Sequence, residues 1–260
     1  MIFDLNVYLG RWPFRRLRHA GAAGVRELMA RTKTAQALAI PLQAVFYKDC
    51  LDGVLEMVEE IRPGVDLLPL GMVNPDFPGW ERDLRHQVEV LGCVGCGVVP
   101  TYHGYRVYDP CAQALFRTLG EMGLPVLLFI RLWDERSHHP RMQVPPLAVE
   151  DVAYVLKTFP ELRVAVCNAN LPGEGAALAP ILPDRAQTLL TTAYKSLKLA
   201  EMVEQLGAEH VAYGSGMPFY YPESALLQVR GAEIDERSRA KILAENARTF
   251  LRLEEGHDAG

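Results

Sequence analysis

The sequence predicts a (β/α)8 barrel, in which eight parallel strands alternate with helices around one core. Eight strand-like runs alternate with helical segments over 260 residues, and α/β barrels commonly use this length for a single domain. A hydrophobic share of 49% is enough for one large core. No linker, low-complexity segment or shift in composition divides the chain, so we expect one domain over residues 1–260.

The strands are predicted from short apolar runs that end at turn residues or at polar positions. The run 125–130 is apolar at every position, which is typical of a parallel strand covered on both faces. The eight runs are 1–10, 35–40, 67–73, 94–99, 125–130, 163–167, 187–192 and 210–213.

The helices are predicted where apolar residues recur at helical spacing between the strands. Asp49 precedes the second helix as an N-cap, and Asp109 with Pro110 opens another helix in the preferred way. Residues 101–105 and 131–146 are expected as loops. The helical segments are 22–31, 51–61, 80–91, 110–122, 147–159, 196–206, 222–229 and 235–251.

Composition excludes several function classes. The formal net charge of −5 and the pI of about 5.8 give no basic footprint for nucleic acid. No apolar run approaches the ~20 residues that span a bilayer, and Asp4 and Asn6 interrupt the apolar stretch that a secretory signal needs. We therefore expect a cytoplasmic protein without a nucleic-acid or membrane partner. The expected partner is a small molecule, and the sequence leaves open whether the chain forms a homo-oligomer.

The five cysteines indicate reduced thiols, because an odd number does not suit a disulfide framework. Cys93 and Cys96 have the spacing of a redox or zinc pair, but they run into a strand-like segment and no second ligand pair follows. We expect buried structural thiols at both positions.

Polar side chains concentrate at the predicted strand ends, where the βα loops of a barrel build its active site. On the first strand Asp4, Asn6 and Tyr8 alternate with apolar residues and should share one face. Lys195, after the seventh strand, is either an amine nucleophile or a solvated lysine at a helix start. The candidate ligand-binding residues are Asn6, Tyr8, Arg11, Tyr102, Phe129, Trp133, Asn168, Asn170, Tyr194 and Ser215.

Two residues are candidates for catalysis. Arg131 should point into the barrel, where its guanidinium could hold a carboxylate or phosphate through two hydrogen bonds. The alternative for Arg131 is an ion pair with Asp134, Glu135 or Asp4. His103 follows the fourth strand and titrates near neutral pH, so it could transfer protons. The alternative for His103 is a loop histidine packed among aromatic rings.

Basic and aromatic residues follow the first strand. Arg11 and Arg15 flank Trp12, and they either hold an anion or pack along the surface. Further aromatic residues lie in loops on the predicted mouth side, which suits an aromatic-walled pocket or an oligomer contact. They are Phe14, Tyr102, Tyr105, Trp133, Phe219, Tyr220 and Tyr221.

Six short motifs are more informative through their order and spacing than any one is alone. They are DLNVY at 4–8, GMVNP at 71–75, GLPVLL at 123–128, FPELR at 159–163, GSGMP at 214–218 and KILAENA at 241–247. Together they resemble the amidohydrolase-related barrels of the second amidohydrolase group, where the first motif reads Asp-x-His-x-His and the fifth Gly-Ser-Asp-x-Pro. The resemblance covers nearly the whole chain and implies the same barrel fold.

The resemblance also implies a metal site, and this sequence departs from it at every ligand position. Members commonly hold one divalent metal, often zinc, through histidines of strands one, five and six and an aspartate after strand eight. The matching positions here are Asn6, Tyr8, Phe129, Asn168 and Gly216. Such groups cannot together hold the metal and acidify its bound water. We therefore expect no metal and no other cofactor.

Three functions remain open from the sequence. The first is binding of a small anionic organic molecule at the C-terminal mouth; a catalytic form would be a metal-independent hydrolase or related lyase that uses Arg131 and His103. The second is a non-catalytic binding or scaffold protein, in which the polar strand ends form a satisfied plug. The third is a hydrolase with a relocated metal on the 134–139 segment, which contains acidic residues and two adjacent histidines.

Overall fold

Parallel strands form the centre of the molecule. The computed structural model describes residues 1–62, 64–182, 187–194 and 198–253, and the strands within these ranges form two parallel sheets. The first sheet contains β1 (Phe3–Leu9), β2 (Gln36–Pro41) and β3 (Leu67–Pro69). The second contains β4 (Gly71–Met72), β5 (Cys96–Val98), β6 (Val126–Phe129), β7 (Val164–Cys167), β8 (Thr188–Thr191) and β9 (Val211–Ala212).

Backbone hydrogen bonds join the two sheets into one closed barrel. Only Leu70 separates β3 from β4, so these segments are two halves of one barrel strand. At the other seam, the Leu5 amide donates to the Tyr213 carbonyl at 3.0 Å, and the Tyr8 amide donates to the Met217 carbonyl at 2.8 Å. The fold is therefore the (β/α)8 barrel that the sequence predicts.

Helices surround this barrel and connect its strands. The helix expected over 235–251 is present as two α-helical parts joined by a π-helical segment. Within the described ranges the helices are α1 (Ala22–Thr32), α2 (Cys50–Ile61), α3 (Trp80–Glu89), α4 (Pro100–His103), α5 (Pro110–Glu121), α6 (Val149–Thr158), α7 (Ala176–Leu178), α8 (Leu199–Leu206), α9 (Pro222–Gly231), α10 (Glu236–Ala240) and α11 (Asn246–Leu251).

The two predicted N-caps behave differently. Asp49 caps α2 as expected, because its carboxylate accepts a hydrogen bond from the Leu51 amide at 3.0 Å. Asp109 stands at the N-cap position of α5, but its carboxylate accepts from the backbone amide and the guanidinium of Arg106 instead. The start of α5 therefore depends on Pro110, whose fixed φ suits the first helical position.

Two connecting segments differ from the sequence expectation. Residues 101–105, expected as a loop, contain most of α4, a single helical turn that begins at Pro100. A π-helical turn at Leu171–Gly175, followed by α7, occupies a segment for which the sequence predicts no element. This second difference affects the mouth of the barrel, because the turn carries Glu174 there.

Apolar side chains of the strands and of the inner helix faces form the core. All four residues of β6 are buried, as expected for a strand covered on both faces. Cys93 and Cys96 are free and buried, which confirms them as structural thiols, and burial raises the pKa of Cys93 to about 12. Among the residues described, no helix combines the length and the apolar character needed to cross a membrane.

Candidate functional site at the barrel mouth

The polar row of β1 is divided by a register shift between Asp4 and Val7. These two residues pair with positions of β2 that are only two apart, so β1 contains one extra residue, and such an insertion re-aims the side chains around it. Asp4 Oδ1 accepts from the backbone amides of Asn6 at 3.1 Å and Ser215 at 2.9 Å. The prediction that Asp4, Asn6 and Tyr8 share one face is therefore wrong for Asp4. Its carboxylate binds the backbone where β1 meets the segment after β9, whereas the Asn6 and Tyr8 side chains lie at the mouth.

Asn168 is the centre of a buried hydrogen-bond network at the mouth. Its Oδ1 accepts from Asn6 Nδ2 at 2.8 Å, and its Nδ2 donates to the Tyr8 hydroxyl and to the Arg131 carbonyl, each at 2.6 Å. Asn168 has a φ of 59°, in the left-handed region that asparagine tolerates. Asn6, Tyr8 and Asn168 are at most 1% exposed. These side chains bind one another, but the buried Asn6 Oδ1 has no hydrogen-bond partner among the described residues, so the polar plug is satisfied only in part.

Arg131 is held by carboxylates of this chain. Its Nη1 donates to Glu174 Oε2 and to the Asn168 carbonyl, each at 2.8 Å, and its Nη2 donates to Glu174 Oε1. Glu135 Oε2 lies 3.4 Å from Nε, and the Tyr194 ring centroid lies 4.8 Å from the guanidinium carbon. Arg131 is therefore in the ion pair that was its alternative, with Glu135 as one expected partner and Glu174 as an unexpected one.

Aromatic rings close the mouth above this network. The ring centroid of Tyr8 lies 5.0 Å from that of Phe219 and 6.2 Å from that of Phe129. Trp133 lies 4.8 Å from Phe219 and stacks on Tyr220 at 5.0 Å. Tilted, edge-on and stacked rings of this kind pack closely. We call these five rings the aromatic roof; it includes three of the predicted ligand contacts, Tyr8, Phe129 and Trp133.

His103 and Arg11 lie apart from the network. His103 Nε2 faces Cys50 Sγ at 3.9 Å, and burial lowers the pKa of His103 to about 4, so its imidazole is neutral at pH 7. Arg11 is exposed and lines a separate cleft of about 540 Å³ together with Tyr47. Within the described part of the chain, no hydrogen bond or ring contact joins His103 to Arg131, the other residue predicted to take part in catalysis.

The remaining predicted residues lie at the edge of the network. Tyr102 packs against the core at the mouth side, and the Asn170 amide donates to Glu174 Oε2 at 2.7 Å. Ser215 Oγ accepts from the amide two residues later at 3.1 Å, which fixes the tight turn after β9. Lys195 lies outside the described residues.

The 131–146 loop is occupied by local contacts. Asp134 accepts from the Arg136 amide at 3.1 Å and pairs with its guanidinium at 2.5 Å. The His139 ring stacks on Phe14 with centroids 5.8 Å apart, and its Nδ1 accepts from the Arg141 amide at 3.1 Å. Among the residues that the structure describes, this loop holds no group of three His, Cys, Asp or Glu side chains suited to a metal.

An open cleft of about 440 Å³ lies beside the aromatic roof and combines arginines with aromatic rings. The Arg15 guanidinium lies 4.4 Å from the centroid of Trp133, and Arg31 pairs with Glu223. Across the described ranges, no carboxylate forms a salt bridge with any of the three arginines at positions 15, 16 and 18. We call this the arginine cleft; its lining includes Arg15, Arg16, Arg18, His19, Trp133 and Tyr220.

The sequence analysis identified Arg15 and the aromatic residues but missed Arg16, Arg18 and His19. The signal is present in the sequence, because four arginines fall within residues 11–18 of a chain with a net charge of −5. His19 has a φ of 57°, a left-handed conformation that is uncommon outside glycine. Within the described ranges, Arg15, Arg16 and Arg18 thus bring three guanidinium groups to the cleft without a carboxylate salt bridge, whereas Arg31 pairs with Glu223 and His19 lies 3.4 Å from Glu27.

The sequence matches a known protein family over most of its length. The Amidohydrolase family model matches residues 20–253. The chain belongs to the amidohydrolase family. No curated protein sequence matches it at a significant level.

Solved structures share the fold of this amidohydrolase-family chain at low identity. A 2,6-dihydroxybenzoate decarboxylase complexed with 2,6-dihydroxybenzoate has a TM-score of 0.71 and 16% identity, covering 97% of this chain and 98% of that chain. A dihydroxybenzoic acid decarboxylase from Polaromonas sp. JS666, with bound manganese and the inhibitor 2-nitroresorcinol, has a TM-score of 0.72, 14% identity and 97% coverage of each chain. For 5-carboxyvanillate decarboxylase from Sphingomonas paucimobilis the TM-score is 0.70, with 13% identity over 97% of this chain and 99% of that chain.

The residues at the ligand positions implied by the amidohydrolase family do not fit a metal. Asn6 and Asn168 bind each other, and the phenyl ring of Phe129 offers no donor atom. Gly216 has a φ of 67°, and a Cβ there would lie 2.7 Å from Tyr220 Cδ2, so the tyrosine fills the space an aspartate would need. Throughout the described part of the chain, no cluster of three His, Cys, Asp or Glu side chains suits a metal ion.

Proposed function

We propose that this amidohydrolase-family protein binds a small aromatic carboxylate in the arginine cleft, above a fixed polar floor formed by the Asn168 network. The observation that carries the proposal is the group of three arginines beside Trp133 and Tyr220 that no described carboxylate neutralises. A ligand with a negative charge and a flat ring would complement both features of this surface.

The chemistry of the cleft supports this ligand class. A guanidinium is planar and binds a carboxylate through two parallel hydrogen bonds, which fixes the orientation of the ligand as well as its charge. The ring of the ligand can pack on Trp133 or Tyr220, since aromatic pairs prefer stacked or edge-on contacts. A volume of about 440 Å³ also lies within the usual range of small-molecule sites.

The relatives support an aromatic acid in particular. The solved decarboxylases are named for 2,6-dihydroxybenzoate and 5-carboxyvanillate, which are both aromatic acids. We transfer only the ligand class to this chain, because its side chains at the family's metal positions are unsuited to a metal. His103, the proposed proton-transfer residue, is neutral and faces Cys50. Of the sequence-based alternatives, we therefore favour binding without catalysis.

Isothermal titration calorimetry, which measures the affinity of the protein for 2,6-dihydroxybenzoate, tests the proposal. The variant with both Arg16→Gln and Arg18→Gln should bind at least tenfold more weakly, a loss of about 1.4 kcal/mol. The matched control is the variant with both Arg85→Gln and Arg117→Gln, because these residues are exposed on α3 and α5, lie outside the cleft lining and lose the same two charges. Equal affinity in the double variant and the control, or no binding by the unmodified protein, would overturn the proposal. Cyclohexanecarboxylate should bind more weakly than benzoate if the ring stacks as proposed.

A further inference from the structure

The opposite, N-terminal end of the barrel carries a further cleft, of about 450 Å³. It lies where β7 and β8 begin and where α11 ends, far along the strands from the mouth. Two of its residues are arginines, one just before β7 and one just after α11. Its lining includes Arg163, Gln187, Glu209, Asn246, Thr249 and Arg252.

Arg163 is buried there, with 8% of its surface exposed. Its Nη1 donates to the Phe250 carbonyl and its Nη2 to the Gly123 carbonyl. Phe250 lies in the last turn of α11, where backbone carbonyls lack a helical partner, so a cation is favourable at this place. Both acceptors are neutral, and a guanidinium has five N–H donors, so these contacts leave its formal charge and several of its donors available.

Arg252 brings a second guanidinium to the same turn. A Cβ built on Gly123 would lie 3.6 Å from Arg252 Nη1, which places this group beside the carbonyl that Arg163 binds. Burial, together with the nearby charge of Arg252, lowers the pKa of Arg163 to about 10. Arg252 is itself the C-cap residue of α11, so the two guanidinium groups lie together at one helix C-terminus, where their like charges repel.

The acidic wall of the cleft does not neutralise this pair. Glu209 Oε2 lies 4.0 Å from Lys241 Nζ, and the Glu209 side chain is 60% exposed. Within residues 1–62, 64–182, 187–194 and 198–253, neither Arg163 nor Arg252 forms a salt bridge with a carboxylate. Like charges held close together repel, and an anion between them would remove that repulsion.

We propose that this cleft binds a small oxyanion, a phosphate or carboxylate group held between Arg163 and Arg252. Thr249 and Gln187, which line the same cleft, add a hydroxyl and an amide as further donors to such an oxygen-rich group. The group has two sources of the same chemistry: a free anion, or the carboxylates of Glu254 and Glu255, which follow Arg252 closely in the sequence.

Phosphate titration of the full chain at constant ionic strength tests the proposal. Inorganic phosphate, exchanged against chloride, should bind and raise the melting temperature. Arg252→Gln should weaken phosphate binding at least tenfold, whereas Arg117→Gln should not change it. Arg252 is the residue to change because it is exposed, whereas replacing Arg163 would also remove the contacts to Phe250 and Gly123. Arg252→Gln should leave the binding of 2,6-dihydroxybenzoate at the mouth unchanged, which separates the two sites.

A full-length variant with Glu254→Gln and Glu255→Gln distinguishes the two sources. Phosphate binding of equal strength with and without these changes identifies a free anion as the ligand. Binding that appears only after the changes, and that still depends on Arg252, identifies the chain's own carboxylates as the occupant of the oxyanion site. Absence of any Arg252-dependent binding in both proteins would overturn the proposal.

Discussion

Asp4 makes the stability of this protein depend on pH in a defined direction. Burial raises the pKa of Asp4 from 3.8 to about 6, against the opposing effect of its hydrogen bonds with Ser215 and Asn6. The folded protein therefore holds this proton more tightly than the unfolded chain does. A difference of about two pKa units corresponds to about 3 kcal/mol. This contribution to stability is fully present below pH 3.8 and is lost as the pH rises through about 6.

Urea unfolding of the wild type and of Asp4→Asn between pH 4 and pH 7 measures this effect. Asparagine keeps the oxygen that accepts from the Asn6 and Ser215 amides, but it carries no charge at any of these pH values. The free energy of unfolding of the wild type, relative to Asp4→Asn, should therefore fall by about 2.5 kcal/mol over this range, since a small part of the effect is already lost at pH 4. Asp76→Asn, at an exposed position, is the control for a general charge effect. If the free energy of unfolding had the same pH dependence in the wild type and in Asp4→Asn, this reasoning would be refuted.

Four further substitutions, at three positions, test the mouth network by unfolding measurements. Glu174→Gln should lower the free energy of unfolding by about 1.5–3 kcal/mol, because it removes charge-assisted bonds to Arg131; unchanged stability would show that Glu174 does not hold it. Asn168→Ala and Asn168→Gly both lose the side-chain hydrogen bonds, but glycine accepts the left-handed backbone, so the alanine variant should be less stable by about 1 kcal/mol. The reverse order would contradict the assigned backbone. Gly216→Ala should cost about 1–3 kcal/mol through its positive φ and its contact with Tyr220, and an unchanged melting temperature would contradict that contact.

The sequence was sufficient for the barrel because its signals are local. The fully apolar run at β6 and the N-cap at Asp49 each follow from a few neighbouring residues, and the structure confirms both. The strand ends could be located from these elements, so Asn6, Tyr8 and Asn168 could be expected near one another. Their direct hydrogen bonds could not, because they depend on the relative placement of strands that are distant in sequence.

The parts of the site that the sequence did not predict depend on irregular backbone. The register shift in β1 turns Asp4 away from the row it shares with Asn6 by simple alternation. Glu174 reaches Arg131 from a π-helical turn, a form for which the sequence has no clear signal. The space beside Gly216 is filled by Tyr220, a contact that follows from the turn geometry after β9.

The arginine cleft was missed for a different reason. Its arginines form a basic segment at 11–18, but the net charge of the whole chain, −5, gives no indication of this local positive charge. The segment becomes part of a cleft only in the folded chain, where Arg15 lies over Trp133 and residues 218–222 form the facing wall. A local count of charge beside each predicted strand end would have identified it.

A crystal structure of the full chain with 2,6-dihydroxybenzoate tests the central claim most directly. We expect the carboxylate to lie against Arg16 or Arg18, the ring to pack on Trp133, and the Asn168 network to keep its hydrogen bonds. A carboxylate bound to Arg131 with Glu174 displaced, or a ligand bound through a metal at the mouth, would contradict this claim.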